Sequence, residues 1–107
     1  MLRPSETTRL LLREFAGQVI LAVKGVIRSI CENDETAAAG VIAQKDEIRR
    51  LADEALRYQS ERIAVPEPQH LKLVQLEMEL LEQLRRIYTL AKRVARDFVP
   101  KEVANNA

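Results

Sequence analysis

Residues 71–98 read LKLVQLEMELLEQLRRIYTLAKRVARDF. Across this stretch Leu73, Leu76, Leu80, Leu84, Ile87, Ala91, Val94 and Phe98 recur every three or four residues with no Gly or Pro between them, the period of one face of an α-helix. One long helix is predicted here, running from about Pro68 to Val99 and stopped by Pro100. Beside this seam stands an apolar flank of Met78, Leu81, Tyr88 and Ala95. A helix that packs against two partners needs a stripe of that width.

Upstream, Ala64-Val-Pro-Glu-Pro-Gln-His70 sets two prolines one residue apart. Together they cannot continue a helix, although Pro68 can serve as the first residue of the next. A second helix is predicted over about 35–63, burying Ala38, Val41, Ile48, Leu51, Ala52, Ala55 and Leu56. Asp46 and Arg50, Asp53 and Arg57, and Arg57 and Glu61 would pair at i,i+4 on its solvated side. Asn33, tolerant of a left-handed conformation, and Asp34, a good N-cap, mark a tight turn before it.

The first helix, about 7–32, follows Pro4 with Ser5 or Thr7 as its cap and turns Leu12, Phe15, Val19, Val23, Val26 and Ile30 inward. Gly17 and Gly25 each cost this helix up to ~1 kcal/mol relative to Ala, so close approach of a neighbouring helix is the reason to keep them. Connections this short force antiparallel neighbours. The predicted fold is therefore all-α, an up-down-up bundle of three long helices over residues 7–99. Residues 1–6 read as an extension or linker and 100–107 as a tail.

Composition agrees with one ordered domain: of 107 residues 47% are hydrophobic and 31% charged, which excludes a disordered polar chain. Three Gly and 4% aromatics disfavour a turn-rich β-sandwich. A net charge of +1 provides no global field for nucleic acid, so none is expected as a partner. The longest apolar run, Val19 to Val23, is far below the ~20 residues of a membrane span, and the amino terminus lacks the apolar stretch of a signal peptide. A cytosolic chain is expected. Its lone Cys31, beside Ile27 and Ile30, reads as a small core residue in a reducing compartment.

No residue cluster announces a reaction. His70 is the only histidine and stands at the proline loop with Glu67 alone nearby, too little to orient an imidazole for catalysis. Cys31 lacks a sequence cue for a base, and Ser29 and Ser60 are isolated. There is no Gly-rich phosphate loop and no metal-ligand spacing of Cys or His. The chain is read as a non-enzyme, with no catalytic residues, no metal site and no cofactor.

Charge placement is more informative than the total. In an up-down-up bundle, the end of the first helix, the start of the second and the end of the third meet at one pole. That pole gathers Lys24, Arg28, Lys45, Arg85, Arg86, Lys92, Arg93 and Arg96, while Asp53, Glu54, Glu61, Glu67, Glu77, Glu79 and Glu82 fall in the opposite half. Acids early and bases late in the third helix also complement its macrodipole. The candidate interaction surface is Lys45, Arg49, Arg85, Arg86, Lys92, Arg93 and Arg96, suited to an acidic partner or an anion.

Leu84-Arg85-Arg86-Ile87-Tyr88-Thr89-Leu90-Ala91-Lys92-Arg93-Val94-Ala95 closes a three-helix pattern whose second helix holds Asp34-x-x-Ala37 and Lys45-x-x-Ile48-x-x-Leu51. The pattern resembles the PhoU-like domain over about Leu10 to Phe98. The stretch from Arg86 to Ala95 is similar to the cytosolic PhoU-like domain that follows the membrane part of bacterial sodium/phosphate symporter-family proteins. The resemblance implies a regulatory domain in phosphate transport, on the cytoplasmic face of the membrane as part of a larger membrane protein. PhoU proteins carry acidic E/D-x-x-x-D motifs that hold metal clusters, whereas the corresponding register here gives Lys45 and Arg49, then Arg85 and Thr89. Cations there repel a metal.

PhoU proteins also hold two three-helix units where this chain has one, which implies a homodimer. The leading expectation is a coupling domain that docks helix faces onto the membrane transporter portion, a second copy or a signalling partner. Direct lipid contact is geometrically awkward, because the basic pole lies away from the amino terminus. The alternative is a freestanding helical adaptor with no transport role.

Overall fold

Asp34 begins the second half of the molecule in extended conformation, and its side chain accepts a hydrogen bond from the Ala37 amide at 3.0 Å. Before it, Asn33 takes a positive φ of 52°, a conformation that Asn adopts more readily than most residues. These two residues reverse the chain between α1 (Glu6–Glu32) and α2 (Glu35–Ala43). The computed structural model describes residues 6–63 and 68–100, and α3 (Lys45–Ile63) and α4 (Pro68–Arg96) complete the helices. The expected cap at Ser5, the acid Glu67 and the tail after Pro100 lie outside the described residues. Thr7 is inside α1 rather than capping it.

The elements form three rods, because α2 and α3 are nearly continuous. Their order follows from the ties between them: Arg62, at the end of α3, meets Thr8 early in α1 and Glu77 early in α4. Tyr88, late in α4, meets Val41 of α2. So α1 and α4 run parallel, with the α2–α3 rod antiparallel to both, an all-α up-down-up bundle measuring 51 × 24 × 17 Å. Phe15, Val19 and Ala22 pack with Ala38, Val41, Ile48, Leu51 and Ala55 and with Leu81, Tyr88, Ala91 and Ala95.

The sequence predicts one unbroken second helix, and the structure interrupts it at Gln44. The Gln44 amide bonds back to the Val41 carbonyl at 3.2 Å, a tightened turn, and the Ile48 amide then restarts the ladder on the Gln44 carbonyl at 2.9 Å. The interruption is fastened from both sides. The Tyr88 hydroxyl donates to the same Val41 carbonyl at 2.8 Å, and Gln44 Nε2 donates to the Gln18 carbonyl at 2.7 Å and to Gln18 Oε1 at 2.9 Å. Nothing local to the second helix reports this, since no Gly or Pro stands at the break.

Helix α4 is also rotated from the predicted seam by somewhat less than one residue step of ~100°. Val74, Glu77, Leu81, Tyr88, Ala91 and Ala95 face inward, whereas Leu76, Leu80 and Ile87 are exposed. Two polar side chains set this rotation: Tyr88 reaches Val41, and the buried Glu77 carboxylate pairs with Arg62. On α1, Ala22 and Ser29 are buried where Val23 and Ile30 were predicted, because α2 packs on the small side chains of α1. Leu56 is exposed as well, and Cys31, read as a core residue, lies at the surface beside exposed Ile27 and Ile30.

The surface ion pairs differ from those predicted. Arg50 gathers Glu47 at 2.6 Å, Glu54 at 2.9 Å and, across to α1, Glu14 at 3.9 Å. The bond from Arg50 holds the Glu47 carboxyl below its ordinary range.

The two α1 glycines divide. A Cβ on Gly25 would stand 2.6 Å from Val41 Cγ2 and 3.4 Å from the Ala37 carbonyl oxygen, whereas one on Gly17 meets nothing within 4 Å. Close approach therefore explains Gly25 alone. Gly25→Ala should lower stability by about 1–3 kcal/mol through overpacking, and Gly17→Ala should raise it by up to ~1 kcal/mol, both read from urea unfolding.

Burial raises the Tyr88 phenol to about 12. An acid whose folded pKa exceeds its unfolded value contributes stability that is complete below the unfolded pKa and lost as pH rises toward the folded one. Unfolding midpoints should therefore fall between about pH 10 and about pH 12, and Tyr88→Phe should remove that component of the alkaline loss.

Candidate functional site

The basic residues are positioned by the break at Gln44 and by the end of α4. Lys45 is the first residue of α3 and Arg49 follows one turn later. Opposite them, Lys92 and Arg96 stand one turn apart at the end of α4, on the side that faces α3. Lys92 is half-buried. Its ammonium pKa is pushed down first by that burial and then by the positive charges of Arg96, Lys45 and Arg49, so these four cations share one small region. Asp46 lies close enough to contribute to the upward shift of Tyr88, which places one carboxylate at the edge of the cluster.

The other three members of the expected surface do not join them. Arg85 lines an open groove of about 520 Å³ between α3 and α4, with Ala52, Leu56, Met78 and Leu81 supplying its apolar floor. Arg86 and Arg93 lie with Thr89 along the outer side of α4, and Arg86 pairs with Glu82 at 3.2 Å. The expected basic pole is divided further: Lys24 and Arg28 border a depression between α1 and α2, and Arg28 pairs with Glu32 at 3.7 Å. The acidic half is likewise reduced, because Glu77 is buried and Glu54 is engaged by Arg50.

Sequence reasoning missed the buried polar tie. Arg62 Nη1 donates to Thr8 Oγ1 at 2.8 Å and also to Glu77 Oε2, and all three side chains are withdrawn from solvent. The partners come from three helices, far apart in the chain, so no local pattern joins them. The one available signal was an acid at position 77, in register with the apolar Val74 and Leu81. Glu77 Oε1 has no partner among the described residues, which marks the tie as a structural constraint with a desolvation cost.

Like charges around a partly desolvated ammonium oppose its protonation, and the cost to the fold is present at neutral pH. It is relieved as pH rises through the lowered pKa of Lys92 toward the ordinary lysine value. In an NMR titration with selectively labelled lysine, Lys92 should titrate below that value, and Arg96→Gln should move it back upward.

Among the described residues, no three His, Cys, Asp or Glu side chains converge, and no helix is long and apolar enough to cross a membrane. Lys45 and Arg49 stand on α3, and Arg85 and Thr89 on α4, and three cations among four side chains do not fit a metal cluster. His70 belongs to the first turn of α4, and its side chain lies outside the described residues.

Comparison with characterised proteins returns no match, nor does comparison with solved structures. The sequence model of the PhoU domain matches residues 12–98, from the first turns of α1 to the residue that closes the core after α4. That family acts in regulating phosphate transport, and its members are helical bundles with a regulatory rather than enzymatic role. A match over nearly the whole bundle, carried by the same three rods that the structure shows, makes this chain a member of the PhoU domain family.

Proposed function

We propose that this chain is the cytosolic regulatory domain of a sodium-dependent phosphate symporter-like membrane protein, and that it acts by docking rather than by catalysis. Family membership supports the link to phosphate transport. The observation that carries the docking surface is the convergence of Lys45, Arg49, Lys92 and Arg96 on the α3/α4 side. Like charges held together with partial loss of water gain when an acidic segment lies across them, and such complementarity governs partner choice and encounter rate more than raw affinity.

The groove leading away from the cluster adds an apolar component. Leu56 and Met78 are exposed along it, with Arg85, Glu79 and Glu82 also on its wall, so it is the cluster and not the groove that attracts carboxylates. An acidic loop bearing one or two apolar residues fits this arrangement, its carboxylates on the cluster and its apolar side chains on the floor. A cytosolic loop of the transporter is the occupant we assign. Binding there biases transport to the extent that it prefers one transporter conformation over the other.

The test is sodium-dependent uptake of labelled phosphate in the source cells, comparing the native gene with an Arg49→Glu, Arg96→Glu version. Both side chains are exposed, so the fold should survive and circular dichroism should be unchanged. Uptake should change several-fold, and both versions should be carried in the membrane fraction on a polypeptide much larger than the 12.2 kDa of this chain. Identical uptake in the two strains would refute the docking surface, and a soluble band near 12.2 kDa would refute the transporter reading.

A further inference from the structure

Lys92 is the central member of the cation cluster, and the fold puts it there. The Tyr88 hydroxyl meets the Val41 carbonyl, which joins α4 to the antiparallel α2–α3 rod at that level. Lys92 and Arg96 follow Tyr88 by one and two turns, and Lys45 and Arg49 follow Val41 by one and two turns. Helical side chains lean toward the N-terminal end of their own helix. From antiparallel rods, all four cations therefore lean back toward the Tyr88–Val41 contact, from opposite directions. Lys92 is half-buried there, and Arg96, Lys45 and Arg49 all act on its ammonium. Asp46, the carboxylate at the edge of the cluster, acts on Tyr88 and is not among the charges acting on Lys92.

An amine in this place differs from an ordinary surface lysine in two respects. Partial loss of water and three neighbouring positive charges favour its neutral form, which is the nucleophile. The same three charges attract an anion, and the guanidinium forks of Arg49 and Arg96 suit the oxygens of a phosphoryl group. A reagent that joins an electrophilic carbon to a phosphoryl group satisfies both conditions at once. Lys92 is half-buried rather than enclosed, so a small reagent of that kind can reach it.

We propose that Lys92 is an acylation site whose donors are acyl phosphates, held by their phosphoryl group among Lys45, Arg49 and Arg96. The Nζ lone pair forms a bond to the carbonyl carbon, and the bond from that carbon to the bridging oxygen breaks. That oxygen leaves with the electron pair as phosphate, takes the proton released from nitrogen and departs as hydrogen phosphate. Lys92 is left as a neutral amide. The surrounding cations stabilise the negative charge that gathers on the carbonyl and leaving oxygens. Acylation removes one of four crowded charges, so it relieves the repulsion that the fold carries at neutral pH. It also weakens the attraction for an acidic segment, a consequence that rests on the docking reading above, whereas the reaction itself does not.

Timed reaction of the 107-residue chain with acetyl phosphate at neutral pH, read by peptide mass spectrometry, tests this. Lys92 should be acetylated several-fold faster than the exposed Lys24 and Lys72. Added inorganic phosphate should slow Lys92 and leave those two unchanged. N-Hydroxysuccinimidyl acetate, an acylating agent without a phosphoryl group, should show a smaller preference for Lys92. Arg49→Gln and Arg96→Gln should each lower the Lys92 rate with acetyl phosphate several-fold and leave Lys24 and Lys72 as they were. Both arginines are exposed, so circular dichroism should match that of the native chain. Lys92 reacting no faster than Lys24 and Lys72 overturns the proposal. So does a preference for Lys92 that is the same with both reagents, or one that survives both substitutions. These rates are measured on the chain by itself, so they stand or fall apart from phosphate uptake.

Discussion

The hydrogen bond from the Tyr88 hydroxyl to the Val41 carbonyl is the constraint on which the arrangement of the rods depends. A buried phenol hydroxyl must find an acceptor, since leaving it unpaired costs about 1–3 kcal/mol. The Val41 carbonyl, which also accepts from the Gln44 amide at the break in its own rod, is the acceptor that the Tyr88 hydroxyl finds. Once Tyr88 is committed to it, the rotation of α4 about its axis is fixed. That rotation carries Val74, Leu81 and Ala95 into the core and turns Leu76, Leu80 and Ile87 out of it.

The remaining polar ties reinforce that choice at other levels of the bundle. Gln44 reaches Gln18 in the middle of α1, and Arg62 joins the starts of α1 and α4 at one end. Between them the packing relies on small residues: Ala22 and Gly25 of α1 admit α2, and Ala91 and Ala95 of α4 lie in the core. Small side chains bring helix axes close, which narrows the bundle and leaves the larger aliphatics of α1 and α4 on its far side. The uncovered apolar face is thus a consequence of how the core was built.

The two exposed features are separated by the same geometry. Cations gather where the start of α3 meets the end of α4, whereas Ile20, Ile27 and Ile30 are exposed on α1.

Local signals in the sequence determined the all-α class, the three rods and their turns. The 3.6-residue period, Asn33 and Asp34, and the paired prolines each act over a few residues, within reach of a reading along the chain. The apolar period of α4 was legible too, but it supports two faces about one residue step apart, and only contacts with other rods distinguish them. Tyr88, Glu77 and Gln44 chose between those faces and broke the second helix, through bonds to residues 47, 15 and 26 positions away. The cation cluster was half legible for the same reason: the sequence named its members, and tertiary packing brought Lys45, Arg49, Lys92 and Arg96 together while leaving Arg85, Arg86 and Arg93 aside. Periodicity fixes which residues share a helix, whereas the rotation of one helix against another is decided by where its buried polar groups find partners.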